Sequence, residues 1–143
     1  RLKLADAALA WIEVDSVGFI GPGRAAHDQA RAHALQRGAD LSRHLSRQFS
    51  LTDARADLVL VMTREHLEAL RRQFPLRDRL ELLADFDVDD PPAREIADPY
   101  GADDAEFTRV FDQIDRSIDG LVRQLRISAS RGPTEGDARG GGW

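Results

Sequence analysis

The spacing of apolar and polar positions changes several times along the chain, and each change marks a structural element. Residues 2–11 and 64–74 repeat apolar side chains every three or four positions, which predicts helices. The segment 57–63 instead carries a continuous apolar run between polar residues, a pattern typical of a strand buried in a parallel sheet. Residues 105–127 form the longest amphipathic stretch and predict a helix that faces the core.

Three further elements fill the gaps between these. Apolar side chains alternate over residues 12–17 before a Gly-rich turn, and residues 80–86 form another short apolar run, so both segments predict strands. The Ala-rich segment 25–37 predicts a helix that ends at Gly38, a residue suited to a C-terminal cap. Strands separated by helices predict an α/β fold in which helices cover both faces of a parallel sheet.

The pattern predicts one domain followed by a tail. Residues 1–127 contain the predicted elements, whereas residues 128–143 are rich in Gly, Ser and charge. A segment with so little apolar surface cannot offset the entropy lost on ordering, so we expect a disordered tail.

Composition narrows the class of protein. The 143 residues are 42% apolar, enough for one core, and their net charge of −5 gives no basic face for nucleic acid. No apolar run reaches the ~20 residues of a membrane span, so we expect a cytoplasmic protein with no membrane partner. There is no cysteine, which excludes disulfides and thiolate sites within these residues. The chain starts at Arg1 and its only methionine is Met62, so we expect it to be a fragment.

Candidate chemistry concentrates in the polar segment 96–107, IADPYGADDAEF. Its Asp98 is either a working acid or an aspartate that forms a turn before a proline. The histidines lack metal-ligand spacing, and we expect His27, His33 and His66 to be exposed on helices. The acidic stretch 85–90 lacks the glycine and terminal glutamate of a calcium loop, so a solvated loop is expected there. No metal or cofactor is predicted.

Four segments together resemble the low-molecular-weight protein tyrosine phosphatase family. They occur in the family's order within about residues 1–126, and they are VDSVGF, RGADLSRHLSRQFS, DLVLVMTREHLEAL and IADPYGADDAEFTRVFDQID. The resemblance implies a three-layer sandwich in which helices flank a short parallel sheet, the phosphotyrosine protein phosphatase I-like fold.

The resemblance also implies a reaction and its residues. In the family, a cysteine thiolate in a phosphate-binding loop attacks a phosphate monoester, and an aspartic acid protonates the leaving phenolate. By resemblance Asp98 is that acid, Tyr100 flanks the substrate entrance, and Ser16 and His44 brace the phosphate loop. The alternatives are that Tyr100 packs on the final helix as a core residue and that His44 is a loop histidine hydrogen-bonded to the backbone. The implied substrate is a phosphotyrosine-containing protein or a small aryl phosphate.

One departure from the family is severe. The signature Cys, five residues, Arg, then Ser or Thr does not occur in the chain. We expect the first strand, the phosphate loop and most of the first helix to lie on the amino-terminal side of Arg1. Without them, we expect the chain to be unstable, or to close the gap by rearrangement or by pairing with another chain. The nucleophile of a phosphatase would then come from that segment. The alternative is a non-catalytic pseudophosphatase or a module that binds phosphoproteins. An arsenate reductase of the same fold would need further cysteines and is disfavoured.

Overall fold

A computed structural model describes residue 4, residues 9–89 and residues 95–130. The α-helices and strands that lie wholly within this part of the chain are, in order, α1 (Asp28–Gln36), β1 (Val59–Val61), α2 (Arg64–Gln73), β2 (Leu80–Leu82) and α3 (Asp104–Ser130). Of the helix predicted over residues 2–11, residue 4 is helical, residues 9–11 are not, and the others lie outside the described residues. Gly38 follows α1 with a φ of 81°, a conformation that glycine adopts without strain, so the predicted cap is confirmed.

The sheet is parallel and lies between helices. Strand β1 pairs with β2 so that Val59 lies opposite Leu80 and Val61 opposite Leu82. These four side chains pack on the α2 side of the sheet, in a core cluster that includes Leu70. Leu60 points to the other side, where a second cluster contains Ile96 and Val110. The strand therefore buries both faces, and the predicted α/β sandwich is confirmed.

Two predicted strands differ from the structure. Residues 13–17 have no regular structure, and a single parallel bridge from Gly18 to Gln48 ties the end of this segment to the fold. Alternation alone does not make a strand, because a strand also needs a neighbouring ladder, and the described part of the chain holds a sheet of two strands. The second run keeps only Leu80–Leu82 as strand, because Leu83–Phe86 turns into a 3₁₀-helix.

Helix α3 covers this 3₁₀ turn. The buried carboxylate of Asp87 accepts hydrogen bonds from the guanidinium of Arg116, at 3.1 Å from Oδ2 to Nε, which fixes the turn to α3. The helix extends past its predicted end to Ser130, and the rest of the predicted tail lies outside the described residues. None of the described helices has the length and apolarity of a membrane span.

Candidate active site

The segment that we call the acid loop, residues 95–103, is fixed at the carboxyl end of β1. The backbone N–H of Ile96 donates to the carbonyl of Met62, the residue after β1, at 3.0 Å. The Ile96 side chain is 2% exposed and lies in the core cluster beneath α3. Asp98 is only two residues away, so it lies near the carboxyl edge of the sheet, where open α/β folds place their sites.

The amino end of the acid loop is also fixed by Glu95. Its carboxylate oxygen Oε1 accepts a hydrogen bond of 2.9 Å from the backbone N–H of Arg64, the first residue of α2. Its carbonyl accepts a bond of 3.4 Å from the side-chain amide of the buried Gln113 on α3. A carboxylate at a helix N-terminus satisfies an otherwise unpaired N–H and interacts favourably with the helix dipole. The loop thus joins β1, α2 and α3.

The Asp98 side chain shapes the turn that follows it. Its Oδ1 accepts a hydrogen bond of 3.0 Å from the N–H of Tyr100, and the turn closes with Gly101 at a φ of 80°. Asp98 is exposed, as is Tyr100, whose side chain is 74% accessible. Tyr100 is therefore not a core residue, and its ring meets the ring of His27 edge-on with centroids 5.3 Å apart.

The N-terminus of α2 carries further groups at the same edge. Thr63 caps the helix by accepting a bond of 3.3 Å from the N–H of His66. The His66 ring stacks on Phe19 with centroids 4.4 Å apart. Phe19 follows the Gly18 bridge, so this stack brings the loop after residues 12–18 to the carboxyl end of β1.

Ser16 and His44 lie in a separate group of loops. Ser16 is exposed, and its N–H donates to the Asp15 carboxylate at 2.8 Å. The N–H of His44 donates to the carbonyl of Leu41 at 3.1 Å. Within the described ranges, no hydrogen bond or ring contact joins either residue to the acid loop.

Arg47 organises the charges in this second group. Its guanidinium contacts Asp15 at 2.6 Å and Asp53 at 2.7 Å, and Asp53 also accepts a bond of 2.6 Å from the hydroxyl of Ser50. The hydrogen bond from Arg47, followed by those from Ser50, holds the pKa of Asp53 well below its usual range. The N–H of Ser16 and the Arg47 side chain also lower the pKa of Asp15. Both carboxylates are therefore ionised at neutral pH.

The structure corrects the expected exposure of two histidines, because His66 is half-buried beside Phe19 and His33 is buried. His33 is buried, and its Nε2 lies 2.8 Å from Oδ1 of Asp104, the first residue of α3. Its ring packs against Phe107 and Phe111 of α3, contacts that the sequence of α1 alone does not predict. In the described part of the chain, no three His, Asp or Glu side chains form a group that could hold a metal ion.

These features define a class of protein: a three-layer α/β domain with an aspartate loop fixed at the carboxyl end of a parallel strand. A scan against protein families matches residues 2–131 to the family described as low molecular weight phosphotyrosine protein phosphatase. The chain belongs to this family, as its resemblance predicted. A search of the curated proteins finds no match.

Solved structures with the same fold include several phosphatases. The YwlE arginine phosphatase from Geobacillus stearothermophilus is 26% identical, with a TM-score of 0.79 over 92% of this chain and 85% of that one. The tyrosine phosphatase amsI from Erwinia amylovora is also 26% identical, with a TM-score of 0.72 over 85% of this chain and 80% of that one. A tyrosine phosphatase from Entamoeba histolytica, 21% identical with a TM-score of 0.80 over 90% and 85% of the two chains, supports the fold alone.

Proposed function

We propose that this chain provides the acid half of a phosphatase that hydrolyses phosphotyrosine or similar aryl phosphate monoesters. Asp98 protonates the departing phenolate and then activates the water that hydrolyses the phosphocysteine intermediate. Tyr100 flanks the entering aryl group, while Ser16 and His44 support the phosphate loop. Family membership supports this reaction class, since the matched region includes all four residues.

The observation that carries the proposal is the anchoring of the acid loop. The bond from Ile96 to Met62 joins the chain, two residues before Asp98, to the carboxyl end of β1. A general acid must reach the leaving oxygen within hydrogen-bond distance, so a loop fixed at this edge is a better candidate than a free surface turn. The bond from Tyr100 to Asp98 uses a carboxylate oxygen as acceptor, and it orients the side chain without burying it.

In this proposal the nucleophile must come from outside these residues. The reaction needs a thiolate that attacks phosphorus and forms the phosphocysteine, and the 143 residues contain no cysteine. We therefore expect residues 1–143 alone to show no turnover of p-nitrophenyl phosphate above background. Measurable activity that co-purifies with the chain would require a different nucleophile.

The same absence of cysteine supports a second candidate, a non-catalytic pseudophosphatase or phosphoprotein-binding module. The reading frame on the amino-terminal side of Arg1 distinguishes the two functions. A strand followed by Cys, five residues, Arg and a hydroxyl residue supports the enzyme, whereas a stop codon or a loop without cysteine supports the binding module.

The role of Asp98 can be tested in a chimera. The first strand, cysteine loop and first helix of the Erwinia amylovora phosphatase would precede these residues. We expect Asp98→Asn to lower kcat by ~10²- to 10⁴-fold. Asp103→Asn is a matched control, because Asp103 caps α3 through the N–H of Glu106 and asparagine caps equally well. A full rate for Asp98→Asn on a substrate with a poor leaving group would remove Asp98 from the mechanism. Phosphoarginine belongs in the same assay, because the Geobacillus relative is an arginine phosphatase.

We also propose a cytoplasmic location, a phosphatase domain over residues 1–127 and no nucleic-acid partner. The net charge of −5 supports the last point, because binding to phosphates requires a basic surface. Fractionation of cells that express a tagged chain would test the location, and limited proteolysis would test the domain boundary.

A further inference from the structure

A row of neighbouring rings, in edge-on, stacked and tilted contacts, runs from the acid loop into the interface between α1 and α3. We call it the ring row, and it consists, in spatial order, of Tyr100, His27, Phe107, His33 and Phe111. Neighbouring ring centroids are separated by 5.3, 6.4, 5.5 and 5.6 Å along the row. Phe107 is 2% exposed, so the middle of the row is fixed in the core while its Tyr100 end is open to solvent.

His27 is the member that connects the exposed end to the buried one. It occupies the N-cap position of α1, but its side chain makes no capping hydrogen bond. Its carbonyl accepts a bond of 2.9 Å from the N–H of Arg31, so the backbone of His27 is held by the helix. The imidazole therefore serves ring contacts, edge-on to Tyr100 on one side and stacked on Phe107 on the other.

We propose that His27 is a positioning residue that holds the Tyr100 ring beside Asp98. An exposed tyrosine at the tip of a turn samples several rotamers unless a neighbour selects one. The edge-on contact with His27 selects one, because aromatic rings prefer this arrangement at centroid distances of ~4.5 to 7 Å. Tyr100 then forms a fixed wall next to the acid, and a flat aryl group gains a preformed surface. The inference depends on the proposed function only for this last step.

The chain offers a direct test because Tyr100 is its only tyrosine. Ring-labelled tyrosine gives a single set of NMR signals from the chain as it stands. We expect a nuclear Overhauser effect between the Tyr100 and His27 rings, and Tyr100 ring protons displaced from their free-tyrosine positions. His27→Ala should remove the Overhauser effect and move the Tyr100 signals towards those of free tyrosine.

Two further variants separate positioning from general destabilisation. His27→Phe keeps a ring at this position and should restore the displaced Tyr100 signals. Arg31→Ala changes an exposed residue of the same helix and should leave them unchanged. Should His27→Ala fail to fold, the inference is still tested by the Overhauser effect in the wild type and by the same effect between Tyr100 and the new ring in His27→Phe. Free-tyrosine signals in the folded wild type, or unchanged signals in folded His27→Ala, would overturn the inference.

Failure of the proposed function would look different. In that case titration of the chimera with benzylphosphonate, which has no ester bond to hydrolyse, would leave the Tyr100 signals, assigned by their loss in Tyr100→Phe, in place while the Overhauser effect to His27 remained. This result would show that the Tyr100 ring does not contact the substrate. The expected result is instead a shift of the Tyr100 signals on binding, and a smaller shift in His27→Ala.

Discussion

At Gly120, helix α3 packs closely against the backbone of the 3₁₀ turn, and Gly120→Ala tests that approach. A Cβ built on Gly120 would lie 1.8 Å from the carbonyl oxygen of Phe86 and 2.9 Å from its carbonyl carbon. Both are backbone atoms, so no side-chain rotation can relieve the overlap. The helix and the turn would have to separate by at least about 1 Å, because real Cβ atoms do not approach within 3.0 Å.

The expected change in the free energy of unfolding follows from two opposing effects. Replacing glycine by alanine within an ordinary helix raises stability by about 1 kcal/mol. Overpacking a closed interface costs ~1 to 3 kcal/mol and occasionally more, and an overlap with backbone belongs at the upper end of this range. We expect Gly120→Ala to lower the free energy of unfolding by about 2 kcal/mol net.

Urea unfolding followed by far-ultraviolet circular dichroism measures the change. Gln124→Ala is the matched control, because Gln124 is exposed on the same helix and its replacement should change stability little. A Gly120→Ala variant as stable as the control, or more stable, would show that α3 does not pack against the Phe86 carbonyl in solution.

Three other variants test the neighbouring contacts. Thr63→Ala removes the cap of α2 and should lower the free energy of unfolding by about 1 kcal/mol in urea titrations, whereas Thr52→Ala, which removes no capping bond, should not. Glu95→Ala should speed hydrogen exchange of the first α2 amide by about tenfold, while Glu95→Gln, which keeps an acceptor, should largely preserve protection. Arg47 lowers the pKa of Asp53 in the folded state, so stability should fall as the pH drops below the usual aspartate pKa of ~3.9. Asp53→Asn should reduce this loss of stability at low pH in thermal melts at several pH values. An unchanged loss would show that other groups cause it.

The elements predicted well are those that local physics determines. The apolar run of β1 and the helical face of α2 occur where predicted, and Thr63, between them, caps the helix. Helix α2 ends before Pro75, because proline cannot continue a helix. Residues 12–17 fail as a strand because pairing depends on a distant neighbour, which no local pattern encodes.

The contacts around the candidate site could not all be predicted, for the same reason. The resemblance indicated Asp98 and Tyr100, but no spacing pointed to Glu95, whose partner is the N–H of a helix residue far away in sequence. The burial of His33 likewise depends on the approach of α3, whereas the sequence of α1 alone led us to expect an exposed side chain. Tertiary contacts decide these roles, and a single sequence does not display them.

The edge of β1 that faces away from β2 leads to a final prediction about association. In the described residues β1 pairs only with β2, and Met62, directly after β1, is 38% exposed. A two-stranded sheet is marginal by itself, and an unpaired strand edge is a template for another chain. We therefore expect residues 1–143 to self-associate, so that both the sedimentation coefficient and the melting temperature rise with concentration.

A charge near this edge should oppose the association. Met62→Lys should shift the equilibrium towards monomer, because edge lysines disfavour strand pairing. Val88→Lys is the control, since it places the same charge on an exposed apolar residue outside both strands. A wild-type chain that stays monomeric at every concentration and melts in one cooperative transition would contradict the prediction. Such a chain would have to satisfy the β1 edge from within its own sequence, and hydrogen exchange of the β1 amides would then report strong protection.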